Sequence, residues 1–115
     1  MPVLTDRKNN IVGFCFSCGH EKLFPNYTQT RAFEEAANIL GIKPRTLHNI
    51  MSYYDHFIED SGRRGFTSSY AAAVDVQIQT LNTYLSKKCD GKYCKAGNEE
   101  GIADAYKDAR KILGL

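Results

Sequence analysis

Two cysteine pairs and one run of polar residues carry the side chains of this chain that can do chemistry. The first pair sits in Cys15-Phe16-Ser17-Cys18-Gly19-His20 and the second in Cys89-Asp90-Gly91-Lys92-Tyr93-Cys94. A Cys-x-x-Cys spacing in a tight turn brings two thiolates onto one tetrahedral zinc ion, and a following glycine relieves the backbone. Cys15, Cys18, Cys89 and Cys94 together make a structural four-thiolate zinc site arithmetically available, with His20 able to replace one thiol. Such an ion would clamp 15–20 to 89–94 and add folding energy to a small domain. Reduced thiols and disulfides are the alternatives, disulfides being disfavoured in a reducing compartment. A redox role for Cys15-x-x-Cys18 needs the first thiol at a helix N-terminus, and Gly19 and Pro25 give no such context.

The polar run is Lys43, Arg45, Thr46, His48, Asn49, Ser52 and Tyr53, which fall on the outward face of a helix if Leu47, Ile50 and Met51 face inward. Arginine bonds guanine O6 and N7 with two parallel hydrogen bonds, and asparagine does the same with adenine N6 and N7. Arg45 and Asn49 suit those tasks, and Lys43, Thr46 and Ser52 suit phosphates. His48 adds a further polar contact, an imidazole that can donate or accept. Further on, Arg63 and Arg64 stand between glycines, where a close backbone and two charges make a phosphate-binding loop. Lys87, Lys88, Lys92 and Lys95 surround the second cysteine pair.

The elements that must position these groups follow from periodicity. Phe33, Ala36, Ala37 and Leu40 form one apolar helical stripe, and Thr28 or Thr30 can cap it. Gly41 ends that helix, Ile42 plugs the turn, and Pro44 opens the next helix, which runs to about His56. Ala37, Gly41, Leu47 and Ile50 match the pattern of a small residue, a glycine four positions on, and apolar residues six and nine beyond it. Residues 33–52 therefore resemble a helix-turn-helix DNA-binding motif, about 29–56 with its flanks. The continuation YYDHFIEDSGRRGF is more weakly similar to helical modules of bacterial restriction-type nucleases. The resemblance implies that the second helix inserts into the major groove of double-stranded DNA.

Elsewhere, Ile11 to Phe16 is β-rich in residue type and predicts a short strand. Tyr70, Val74, Ile78, Leu81 and Leu85 predict a long helix from about Ser69 to Lys88, its stripe a core face or a homodimer seam. Asp90-Gly91 predicts a tight hairpin facing Cys89 toward Cys94. A last helix over about Glu99–Leu113 has Ile102, Ala105, Tyr106, Ala109, Ile112 and Leu113 as its stripe. The expected fold is mostly α: a helix-turn-helix core, a long third helix, a C-terminal helix and a short β knuckle near the N-terminus, all in one domain over 1–115.

At 115 residues with 43% hydrophobic content the chain can build one real core. It has no run approaching a membrane span and no apolar signal core at MPVLTDRKNN, so a cytoplasmic protein is expected. The formal charge is only +2. Between Arg31 and Phe66 five bases meet five acids, which weakens the electrostatic case for nucleic acid without removing it, since placement outweighs the sum. No Gly-rich phosphate loop, His-Glu-x-x-His or Gly-x-Ser-x-Gly is present, and Asp55, His56, Glu59 and Asp60 read as the frayed polar end of a helix rather than a nuclease centre. The reading is a non-enzymatic DNA-binding protein in a regulatory (transcriptional), restriction or phage setting. The alternative is a protein-interaction module, adaptor or inhibitor, using the same helical face.

Overall fold

The structure, a computed structural model, describes residues 6–58 and 75–115. These form helices α1 (Arg7–Cys18), α2 (Gln29–Leu40), α3 (Pro44–Phe57), α4 (Asp75–Tyr84) and α5 (Glu99–Leu113). A two-stranded antiparallel hairpin, β1 (Lys88–Cys89) and β2 (Lys92–Tyr93), lies between α4 and α5. The mostly helical class with a short β element holds, but the β element is this hairpin and not an N-terminal knuckle.

The expected strand at 11–16 is the middle of α1. Asp6 caps this helix, accepting from the Asn9 N–H at 3.1 Å, and the Asn10 side chain donates to the Asp6 carbonyl at 2.8 Å. Every residue from Asn9 to Ser17 is buried. A helix covered on all sides carries no polar face, so it shows none of the 3.6-residue alternation that marks a surface helix, and its apolar run cannot be told from a buried strand.

The other helices pack around α1, most heavily α3 and α5. Phe14 is the hub: its ring meets Tyr54 of α3 edge-on at 5.6 Å and stacks on Tyr84 of α4 at 5.5 Å. On the other side Phe16 meets Phe33 of α2 at 4.7 Å. Burial of each such ring contributes roughly 1.5–3 kcal/mol. Two glycines permit the closest approaches. A Cβ on Gly13 would lie 2.4 Å from Cγ2 of Ile50, and one on Gly101 would lie 2.0 Å from the Tyr84 carbonyl oxygen.

The described part of the third predicted helix is α4, which ends at Tyr84 rather than Lys88; 69–74, with Tyr70 and Val74, lie outside the described residues. Its inner face is also rotated from expectation. Gln77, Thr80, Leu81 and Tyr84 are buried, while Ile78 is 40% exposed. Leu81 and Leu85 belong to the core, which is the core-face reading of this stripe, while Ile78 stays outside it. Tyr84 turns α4 inward by stacking on Phe14 and donating its hydroxyl to Asp108 of α5 at 2.5 Å. No described helix is long and apolar enough to cross a membrane.

Candidate functional site

The α2–turn–α3 unit is built by local signals. Thr28 accepts the Arg31 N–H at 3.2 Å and starts α2. Gly41 takes the left-handed conformation (φ 73°), and the Ile42 N–H closes back onto the Ala37 carbonyl at 3.0 Å. That six-to-one bond satisfies an orphan carbonyl at the helix end, while half-buried Ile42 seals the turn. Pro44 occupies the first turn of α3, where its missing N–H costs nothing. Leu47, Ile50, Met51 and Tyr54 turn inward and are buried. Tyr54 locks α3 to α1 by donating to Asn10 Oδ1 at 2.7 Å. Burial raises its phenol well above the ordinary value, against a smaller opposing effect from Thr80.

The outer face of α3 carries most of the expected residues. Lys43, Arg45 and His48 are exposed, and Thr46, Asn49 and Tyr53 are half-buried. Lys43, Arg45 and Asn49 hold no side-chain hydrogen bond or ion pair among the described residues. The His48 ring leans on Phe33 at 5.4 Å between centroids. Thr30, Phe33, Glu34, Pro44, Arg45 and His48 line an open recess between α2 and α3.

Two residues depart from the sequence reading. Ser52 is buried, and its hydroxyl donates to the His48 carbonyl at 3.1 Å. A serine inside a helix bonds back to the preceding turn in this way, so the Ser52 hydroxyl is engaged within α3 and not presented on its outer face. Asp55 does not belong to a frayed end: it is 3% exposed and accepts from Ser17 of α1 at 2.5 Å. Arg63 and Arg64, with Glu59 and Asp60, lie outside the described residues.

The cysteines are not gathered into one site. Cys89 and Cys94 are joined as a disulfide across the hairpin. Cys15 is buried in α1, and Cys18, one turn further on, is half-buried. No group of three His, Cys, Asp or Glu residues able to hold a metal occurs among the described residues. The turn that would present Cys15 and Cys18 to an ion is a helix instead, and the second pair is bonded to itself. Burial, with Cys18 and Asp108 close by, raises the Cys15 thiol well above its ordinary value, opposed by Arg110.

One arrangement had no signal in the sequence. Asn98 stands at the N-cap position of α5, yet its side chain makes no capping hydrogen bond to that helix. It donates to the carbonyls of Lys87 and Cys94, each at 2.8 Å, and accepts the Lys87 N–H at 2.9 Å. Both ends of the lysine-bearing hairpin are thereby tied to the start of α5. Comparison with protein-family models, with curated proteins and with solved structures finds no match.

Proposed function

We propose that the chain is a small DNA-binding protein that reads duplex DNA with the first turns of α3. The observation that carries this reading is the division of α3 into two faces. One is locked to α1 through Ile50 and Tyr54; the other presents Lys43, Arg45, His48 and Asn49 outward, with Arg45 and Asn49 uncommitted among the described residues. A rigid inner face is what holds base-reading side chains in register, and these two residue types suit guanine and adenine edges. A regulatory or restriction-related role is the setting proposed for that activity.

The test is a gel shift with random and selected duplexes across a salt series. Binding that weakens steeply with salt, and a preferred site recovered by selection, are expected. No shift with any duplex at low salt would overturn the reading.

A protein-binding role, as adaptor or inhibitor, is the second reading. It is favoured by the recess whose wall includes Phe33, Pro44 and His48, with Glu34 beside Arg45. Apolar walls with one charge of each sign suit a protein side chain better than a phosphate. That reading gains if the chain ignores duplex DNA.

A further inference from the structure

We infer that the disulfide-tied hairpin at 88–93 is a second contact for the DNA sugar–phosphate backbone, set at the far end of the reading helix. The inference rests on the proposal that α3 enters the major groove.

Charge is the first support. Residues 87–95 hold four lysines against one aspartate, a local excess of three, in a chain whose whole excess is two. The remaining residues are together one charge negative, so the net positive charge of the protein resides in this short segment. Lys87, Lys88 and Lys92 are exposed, and Lys95 is half-buried.

Position is the second. Ile58, the residue that ends α3, forms a parallel bridge with Tyr93 of β2. The hairpin therefore abuts the C-terminal end of α3, although α4 separates the two in sequence. With 14 residues, α3 spans about 21 Å. A helix whose first turns lie in a groove about 12 Å wide leaves its far end over a flanking backbone strand.

Rigidity is the third. Asp90 (φ 52°) and Gly91 (φ 78°) make the two-residue turn in which both centres are left-handed. The Cys89–Cys94 bond closes the hairpin, Asn98 ties its base, and the Tyr93 hydroxyl donates to Asn82 at 2.7 Å. Lys88 lies over the Tyr93 ring, its nitrogen 4.6 Å from the centroid. Lysines on a braced hairpin meet phosphates at less conformational cost than lysines on a free loop.

The experiment compares the unaltered chain, the double variant Lys88→Gln/Lys92→Gln, and the control Lys107→Gln/Lys111→Gln on α5, using a selected duplex and a random one. Circular dichroism verifies that each variant is folded. The hairpin variant should lose about 0.9 of salt-dependence slope for each lysine, while keeping its preference for the selected duplex. Between 50 and 200 mM salt the unaltered chain should then lose roughly tenfold more affinity than the hairpin variant. The control pair should keep the original slope. Unchanged binding by the hairpin variant, or weaker binding with an unchanged slope, overturns the second contact and leaves the α3 reading intact. An equal loss in the control also overturns it, because total charge and not location would then be responsible. Absence of any shift with the unaltered chain overturns both.

Discussion

The Asn98 side chain holds the backbone of Lys87 by both its hydrogen-bonding groups, accepting the N–H at 2.9 Å and donating to the C=O at 2.8 Å. The same amide nitrogen also reaches the Cys94 carbonyl. One buried residue thus joins the entry and exit of the hairpin to the first turn of α5.

Asn98→Asp separates the two accounts of this residue. As a helix cap, aspartate equals asparagine. As a clamp it fails, because a carboxylate cannot donate to two carbonyls and is set against both. The variant should be destabilised by about 1–3 kcal/mol in denaturant unfolding. A neutral result would mean that the clamp adds nothing to stability.

Gly101→Ala should raise stability by about 1 kcal/mol if helix propensity alone governed. The Tyr84 carbonyl stands where the new methyl would go, so a loss of about 1–3 kcal/mol from overpacking is expected instead. Gly41→Ala is the contrast: nothing lies within 4 Å, and only its φ of 73° resists a side chain, at a cost of about 1–2 kcal/mol. Thermal melts of the two variants would check the difference in origin, since a further change to serine should worsen only position 101.

The thiols should be alkylated in a fixed order. In the folded protein without reductant, Cys18 reacts first and buried Cys15 resists until unfolding. Cys89 and Cys94 take label only after reduction. Mass spectrometry after timed iodoacetamide treatment reads this directly. Label on Cys89 before any reductant is added would contradict the pairing.

Stability should fall on the alkaline side. Burial raises the Cys15, Tyr54 and Tyr84 groups above their ordinary values, so each stays protonated in the fold after the unfolded chain has begun to ionise. The unfolded state then binds fewer protons, and stability decreases with rising pH. The contribution is whole below the unfolded values, 9.0 for the thiol and 10.0 for the phenols, and declines above them. Melting temperatures from pH 7 to 11 should be level first and then drop; a rise above pH 9 would contradict the assignment.

Arg45→Ala should cost about 1–3 kcal/mol in duplex binding and relax one base position. Selection from a randomised duplex pool with the variant measures this. Equal weakening on every sequence would make Arg45 a phosphate contact.

Local chemistry was legible from residues alone. Gly41 and Pro44 bound the α2–α3 turn, Asp90-Gly91 makes the hairpin, and α5 runs over Glu99–Leu113 as its stripe requires. Each depends on a conformational preference or a period that neighbouring residues express by themselves. The outward face of α3 follows from the same period: Lys43, Arg45 and His48 are exposed and Asn49 is half-buried, as that period places them. What surrounds an element is decided elsewhere in the chain. Residues 11–16 are helical because other helices cover them on every side, which erases the period that would have revealed a helix. Gln77 is buried in place of Ile78 because Tyr84 must reach Phe14 and Asp108. Ser52 and Asp55 are taken out of solvent by the His48 carbonyl and by Ser17. Cys89, opposite Lys92 in the hairpin register, bonds to Cys94 because the two-residue turn folds β2 back beside β1 and brings Cys94, just past the strand, within reach, while Cys15 is held within α1. Sequence by itself determined where the chain turns and which helix faces are apolar; only tertiary packing decided which of those faces meet, because that choice depends on partners distant along the chain.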